Sequence, residues 1–179
     1  MRVTTMAFQK ILAAIDYSPL SQSVFDQALE LARTNQAQLM LFHCLTADTV
    51  IVSPPFAGEF GVSPQFVNQA YQAEFIRLDQ QVQQTQSLLR RFFETATQQG
   101  VVTECGYRIV EPGQGLCQIA QQWGADLLML GRRGRRGLRE ALLGSVSNYV
   151  LHNAPCAVLV IQANCSPTEK KQAIATASR

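Results

Sequence analysis

The stretch from Asp126 to Ile161, DLLMLGRRGRRGLREALLGSVSNYVLHNAPCAVLVI, limits most tightly what this chain can fold into. It opens on an apolar run, Leu127 to Leu130, and closes on another, Ala157 to Ile161. Neither run alternates with polar residues, which is the pattern of a strand covered on both faces. Between them lie a glycine-rich loop and a segment of helical character. That segment starts at Gly144-Ser145 and stops at Asn153-Ala154-Pro155. The order is strand, loop, helix, strand, and a strand returning through a helix runs parallel to the first.

The loop has a chemistry of its own. Gly131 breaks the first run, and Gly134 and Gly137 follow. Glycine lets backbone come close to a ligand. A helix N-terminus presents unpaired N–H groups and the positive end of the helix dipole. A glycine loop feeding a helix at Gly144-Ser145-Val146 can therefore cradle phosphate. Ser145 and Ser147 add hydroxyls, and Arg132, Arg133, Arg135 and Arg136 add permanent cations able to grip phosphate in pairs of bonds. The same residues also suit a plain surface loop, with glycines for turns and arginines for solubility.

The rest of the chain repeats the alternation. Ile11 to Ile15 form an apolar strand ending in Asp16-Tyr17-Ser18-Pro19, where Ser18 can cap the next helix and Pro19 suits its first turn. Val24, Phe25, Ala28, Leu29 and Ala32 recur at helical spacing up to about Asn35. Asp16 stands beyond the carboxyl end of a parallel strand, where such sheets bind ligands. It can accept from a ribose hydroxyl or support a metal on phosphates, or else serve only the helix start. A second strand runs from Gln38 to Leu45. Residues 46–65 hold three prolines and no periodicity, and we expect a mobile flap there. A long helix follows, from about Phe66 to Gln99. Its stripe is Tyr71, Phe75, Leu78, Val82, Leu89, Phe92 and Ala96, with Thr85 its single polar member.

Val102 to Val110 alternate more than the other runs, and with Glu104 and Arg108 on one face they read as an edge strand. A helix from about Gln114 to Trp123 comes next. Gly113 and Gly115 begin a dinucleotide-binding pattern whose third position is Gln118, so that reading carries little weight, and no Gly-x4-Gly-Lys-Ser/Thr loop is present. Five apolar runs thus alternate with four helices, which argues for one α/β domain: a parallel sheet with helices on both faces. The length of 179 residues suits one such domain, and 47% apolar residues is too many for a disordered chain. From Ala163 the chain turns polar and reads as a flexible tail.

The spacing Gly131-x2-Gly134-x9-Gly144-Ser145 resembles the nucleotide-binding signature of the universal stress protein family, in its ATP-binding branch. The run GSVSNYVLHNAPCAVLVI is also similar to that family, and the resemblance extends from about Lys10 to Ile161. It implies a flavodoxin-like, adenine-nucleotide alpha-hydrolase-like domain over residues 1–162, with sheet order 3-2-1-4-5. It implies that Gly131, Gly134, Gly144, Ser145 and Ser147 hold phosphates and ribose, with a backbone N–H from Val146. Asp16, with Tyr17 and Ser18 beside it, would face the nucleoside. The backbone of Cys44 would meet the adenine, and Leu130 would lie alongside. Arg132 and Arg133 depart from the family's usual small or polar residues and should strengthen phosphate binding. The ligand implied is ATP, with ADP or AMP as variants, carrying Mg2+ on its phosphates. The resemblance also implies a homodimer through the fifth strand. Ala157 to Ile161, apolar on both faces with no charge or proline within, would make such an edge.

The expected function is nucleotide-dependent regulation in a stress response, in the cytoplasm, with no catalytic residue assigned. A slow ATPase or phosphotransferase ranks second, since no base to orient a water is evident. A nucleic-acid binder ranks third: the net charge is only +2 and no aromatic residues interleave with the arginines. No run approaches the roughly 18 apolar residues that would span a membrane. The N-terminus has no apolar signal core before the first strand. Cysteines 44, 105, 117, 156 and 165 make no Cys-x-x-Cys, and with only His43 and His152 they offer no zinc spacing. Most of them read as small core residues in a reducing compartment. His43 reads as a packed strand residue, and His152 as a helix-end residue.

Overall fold

A computed structural model describes residues 8–46, 64–132 and 144–162. Its elements, in chain order, are β1 (Lys10–Ala14), α1 (Leu20–Asn35), β2 (Gln38–Leu45), α2 (Pro64–Gln98), β3 (Thr103–Ile109), α3 (Pro112–Trp123), β4 (Leu127–Gly131), α4 (Ser145–Asn153) and β5 (Ala157–Ile161). The strands form one sheet in the order β3-β2-β1-β4-β5, and every neighbouring pair is parallel. This is the expected flavodoxin-like arrangement. The expected flap falls almost wholly outside the described residues, as do Arg133 to Leu143 and the tail from Ala163. Within them, Pro64 is already the first residue of α2.

Strand alternation builds two cores. Ile11, Ala13, Leu39, Leu41, Leu127 and Met129 point to one face, where they meet Val24, Phe25 and Ala28 of α1 and Leu89, Phe92 and Ala96 of α2. Leu12, Met40, Phe42, Leu128 and Leu130 point to the other, against Leu116, Ile119 and Ala120 of α3 and Val150 of α4. Phe25 and Phe92 bring α1 and α2 together, their ring centroids 4.6 Å apart. Each of the larger side chains among them contributes on the order of 1.5–3 kcal/mol by leaving water. At the amino ends of the strands, Asp126 accepts from the N–H of Gln9 at 2.7 Å and of Lys10 at 3.2 Å. Asp126 therefore ties β1 to β4 at the end away from the candidate site.

Three local expectations are revised. Ser18 does not cap α1: Pro19 occupies the N-cap position with no side-chain bond, and the Ser18 hydroxyl donates to Asp16 instead. The apolar stripe of α2 buries only its later part. Thr85, Leu89, Phe92 and Ala96 are buried, while Tyr71 and Phe75 remain 57% and 75% exposed. β5 is less uniform than its sequence: Ala157 and Leu159 are exposed, whereas Val158 and Val160 pack on the second core.

Candidate functional site

The sheet order places the topological switch between β1 and β4, because the chain leaves β1 toward β2 and later returns to β1's other side. Open α/β sheets bind ligands at the carboxyl ends of the strands there. A cleft of about 150 Å3 opens at that point. Its lining includes Asp16, Ser18, Phe42, Cys44, Leu130, Gly131 and Val146. The fold thus gathers at one cleft residues that lie far apart in the chain.

Asp16 is held by its own loop. Its Oδ1 accepts from the Ser18 N–H at 2.9 Å and from the hydroxyls of Ser18 and Ser21, each at 2.5 Å. The Asp16 N–H in turn donates to Ser21 Oγ at 2.8 Å. These bonds fix the carboxylate's orientation at the rim. Ser21 was missed from sequence, yet it left a signal. It lies three and four residues before Val24 and Phe25, on the buried face of α1, where a hydroxyl requires a partner.

Gly131 ends β4 beside the first residue of α1. A Cβ there would come within 2.7 Å of Leu20 Cδ2 and 3.1 Å of its Cγ, so a larger residue would require the Leu20 side chain to shift. Arg132 follows. Its N–H donates to Ile161 O at 2.8 Å, and its guanidinium donates to Gln162 Oε1 at 3.3 Å. Its carbonyl accepts from the Gly144 N–H at 3.2 Å. The loop thus leaves and returns at a closed base. Arg133 and Gly134, expected to touch phosphate, lie outside the described residues.

Gly144 is the N-cap of α4 with extended backbone and no side-chain cap. The first bond within the helix runs from Asn148 N–H to Gly144 O at 2.9 Å. The N–H groups of Ser145, Val146 and Ser147 therefore precede the helical ladder, as in any helix start, and can meet an anion. The Ser145 side chain is exposed and Val146 lines the cleft. The Ser147 hydroxyl is buried and lies 3.0 Å from the carbonyls of both Arg132 and Gly144. In this arrangement it braces the base of the loop, so the donor that Ser147 offers outward is its N–H.

Cys44 forms part of the opposite wall. Its thiol is pushed up to about 12, first by burial and then by the charge of Glu111, with Arg108 opposing. It is therefore an inert, neutral wall at ordinary pH. His43 beside it is buried, as expected, with Nδ1 2.6 Å from Ile15 O. Gly113 and Gly115 serve packing: a Cβ would meet the Tyr149 ring at 2.9 Å in the first case and Val110 Cγ1 at 2.4 Å in the second. That is why α3 carries glycines without a complete dinucleotide pattern.

A nucleoside fits the chemistry of this cleft, with apolar walls, one oriented carboxylate and helix N–H donors. Comparison with known proteins identifies the family. A model of the universal stress protein family matches residues 7–162. Universal stress protein Sll1388 of Synechocystis is 36% identical over 160 residues, covering 88% of this chain and 99% of the relative. Universal stress protein YxiE of Bacillus subtilis is 32% identical over 155 residues, covering 87% and 99%. Among solved structures, hypothetical protein MJ0577 superposes with a TM-score of 0.71 at 18% identity, over 89% of this chain and 99% of that one. A universal stress protein in complex with cAMP gives 0.59 at 21%, over 88% and 99%. An AMP-bound family protein from Arabidopsis thaliana gives 0.57 at 22%, over 89% and 95%. At these identities the structures speak for the fold, while the family match and the two relatives carry membership: this chain belongs to the universal stress protein family.

Proposed function

We propose that this protein binds an adenine nucleotide in the cleft between β1 and β4 and acts as a nucleotide-dependent regulatory module in a stress response. The observation that carries the reading is the convergence of Asp16, the glycine end of β4 and the N-terminus of α4 on one cleft. The family's AMP and cAMP complexes support the ligand class. In this reading Asp16 accepts from the ribose, with Tyr17 and Ser18 beside it. The Cys44 backbone and Leu130 meet the base. Gly131, Gly134, Gly144 and the N–H groups of Ser145, Val146 and Ser147 receive the phosphates.

ATP is the physiological ligand in this reading, with ADP and AMP as related states. Arg132 and Arg133 add cationic charge near the phosphates, and their contribution should fade as salt rises. Among the described residues no three His, Cys, Asp or Glu side chains converge. Mg2+ would then be held by the nucleotide's own phosphates and water. Any hydrolysis would run well below the typical enzyme rate of about 10 per second.

Two further assignments belong to the proposal. Among the described residues β5 pairs only with β4, and we place a second copy against its outer edge in a two-fold dimer. We also place the protein in the cytoplasm, where thiols such as those of Cys44, Cys105, Cys117 and Cys156 stay reduced. Among the described residues no helix is long and apolar enough to cross a membrane.

Mass spectrometry of co-purifying nucleotide, followed by calorimetry with ATP, AMP and adenosine, tests the reading. Gly144→Val is the decisive variant. Gly144 lies at φ −61° and ψ 156°, a conformation open to any residue, so the fold should survive while methyl groups crowd the anion position. Unchanged ATP affinity in a folded Gly144→Val protein would remove α4 from the site.

A further inference from the structure

Among the described residues Thr85 is the one buried polar residue of α2, and it lines no part of the main cleft. It is wholly buried. Its Oγ1 is hydrogen-bonded to Tyr17 Oη at 2.9 Å, 68 positions away in the chain. Tyr17 directly follows Asp16. Its ring stands edge-on to His43, centroids 5.3 Å apart at 79°, and His43 Nδ1 sits 2.6 Å from Ile15 O. The segment that presents Asp16 is thus gripped from two sides, by β2 through His43 and by α2 through Thr85.

Packing alone does not account for a hydroxyl here. A buried hydroxyl gains only modestly from its bond and costs more if left without one, whereas valine would fill the same space. Tyr17 is 37% exposed, so burial does not dictate its place either. What the bond does fix is the distance between α2 and the loop after β1. A second lobe of about 220 Å3 lies in that gap, between Asp16, Tyr17, His43 and the α2 residues Gln81 and Gln84. It shares Asp16, His43 and Cys44 with the main cleft.

We infer that Thr85 and Tyr17 form a positioning pair for the nucleotide site, holding the loop after β1 against α2 so that the Asp16 carboxylate is presented at the rim. The inference rests on the nucleotide reading for its ligand, but not for its geometry. Neither hydroxyl needs to touch the ligand. Loss of the bond frees the loop, and an adenine nucleotide must then order it on binding, which lowers affinity.

The test uses the full chain with Tyr17→Phe, Thr85→Val, their combination and Thr85→Ser, in two measurements. The first is amide hydrogen exchange without ligand, read at the Asp16 and Ser18 N–H groups, which bond to Ser21 Oγ and Asp16 Oδ1. The second is calorimetry with AMP. Tyr17→Phe and Thr85→Val should each raise exchange and weaken AMP by about fivefold, the worth of one neutral hydrogen bond. The combined variant should be no worse than either alone, and Thr85→Ser should restore both values. Unchanged exchange in the two single variants overturns the inference. So does a lowered melting temperature with AMP affinity intact, since a merely structural contact would give that. If the wild-type protein does not bind AMP yet exchange responds as stated, the clamp stands and the nucleotide reading falls.

Discussion

Gly115→Ala sets two large effects against each other, and the structure decides which wins. Gly115 lies in the first turns of α3, where alanine in place of glycine ordinarily gains about 1 kcal/mol of helix propensity. The added methyl group would stand 2.4 Å from Val110 Cγ1 and 2.9 Å from Cys44 Sγ. Carbon atoms pack at about 3.5–4.0 Å, so both neighbours must move. Val110 is β-branched and stiff about χ1, and the Cys44 thiol is already placed against Pro112 O at 3.8 Å. Overpacking of this kind costs about 1–3 kcal/mol, and two short, stiff neighbours argue for the upper half. The net loss is then about 1–2 kcal/mol, which for a chain of this size lowers Tm by about 3–6 °C. Because Cys44 also lines the cleft, AMP affinity should fall with stability. Thermal and urea unfolding measure the first effect and calorimetry the second. Val110→Ala in the same chain should recover part of the loss, giving a favourable coupling in the double-mutant cycle. A Gly115→Ala protein as stable as wild type would show that the backbone yields easily enough to absorb the methyl group, and would refute the overpacking cost.

Other perturbations follow from the same geometry. Asp16→Asn keeps the shape but turns charge-assisted bonds from Ser18 and Ser21 into neutral ones; stability should drop by about 1 kcal/mol and AMP affinity by about tenfold, and equal affinity in both proteins would take Asp16 out of the site. With its folded pKa raised from 9.0 to about 12, Cys44 contributes stability that is fully present below pH 9 and lost as pH climbs toward 12. At pH 8 it should alkylate more slowly than exposed Cys105, which peptide mapping after iodoacetamide treatment can check. Leu159→Lys puts a charge at the exposed centre of β5 without touching the core. Light scattering should show a dimer becoming a monomer, and a wild-type protein monomeric at high micromolar concentration would refute edge pairing.

Much of this protein is legible in its sequence for a local reason. Strand and helix periodicities repeat within a few residues, so the runs at Ile11, Gln38, Leu127 and Ala157 and the helical stripes between them declare a parallel α/β sheet by themselves. Its glycine spacing is likewise a local signal, and it marked the loop and the start of α4. Contacts between distant segments decided the rest. The stripe of α2 looks continuous from Tyr71 to Ala96, yet only the later turns lie over the sheet and bury it. Gly131 reads as a ligand-approach residue, but its first constraint is Leu20, which sequence cannot place beside it. Ser147 reads as a phosphate donor, but its hydroxyl closes the base of the loop. Ser18 reads as a helix cap, but the helix starts one residue later, with Pro19 at the N-cap position, and the Ser18 hydroxyl donates to the Asp16 carboxylate. Periodicity says which face of an element is apolar; what covers that face, and which polar group finds which partner, depends on residues tens of positions away and is settled only when the elements pack.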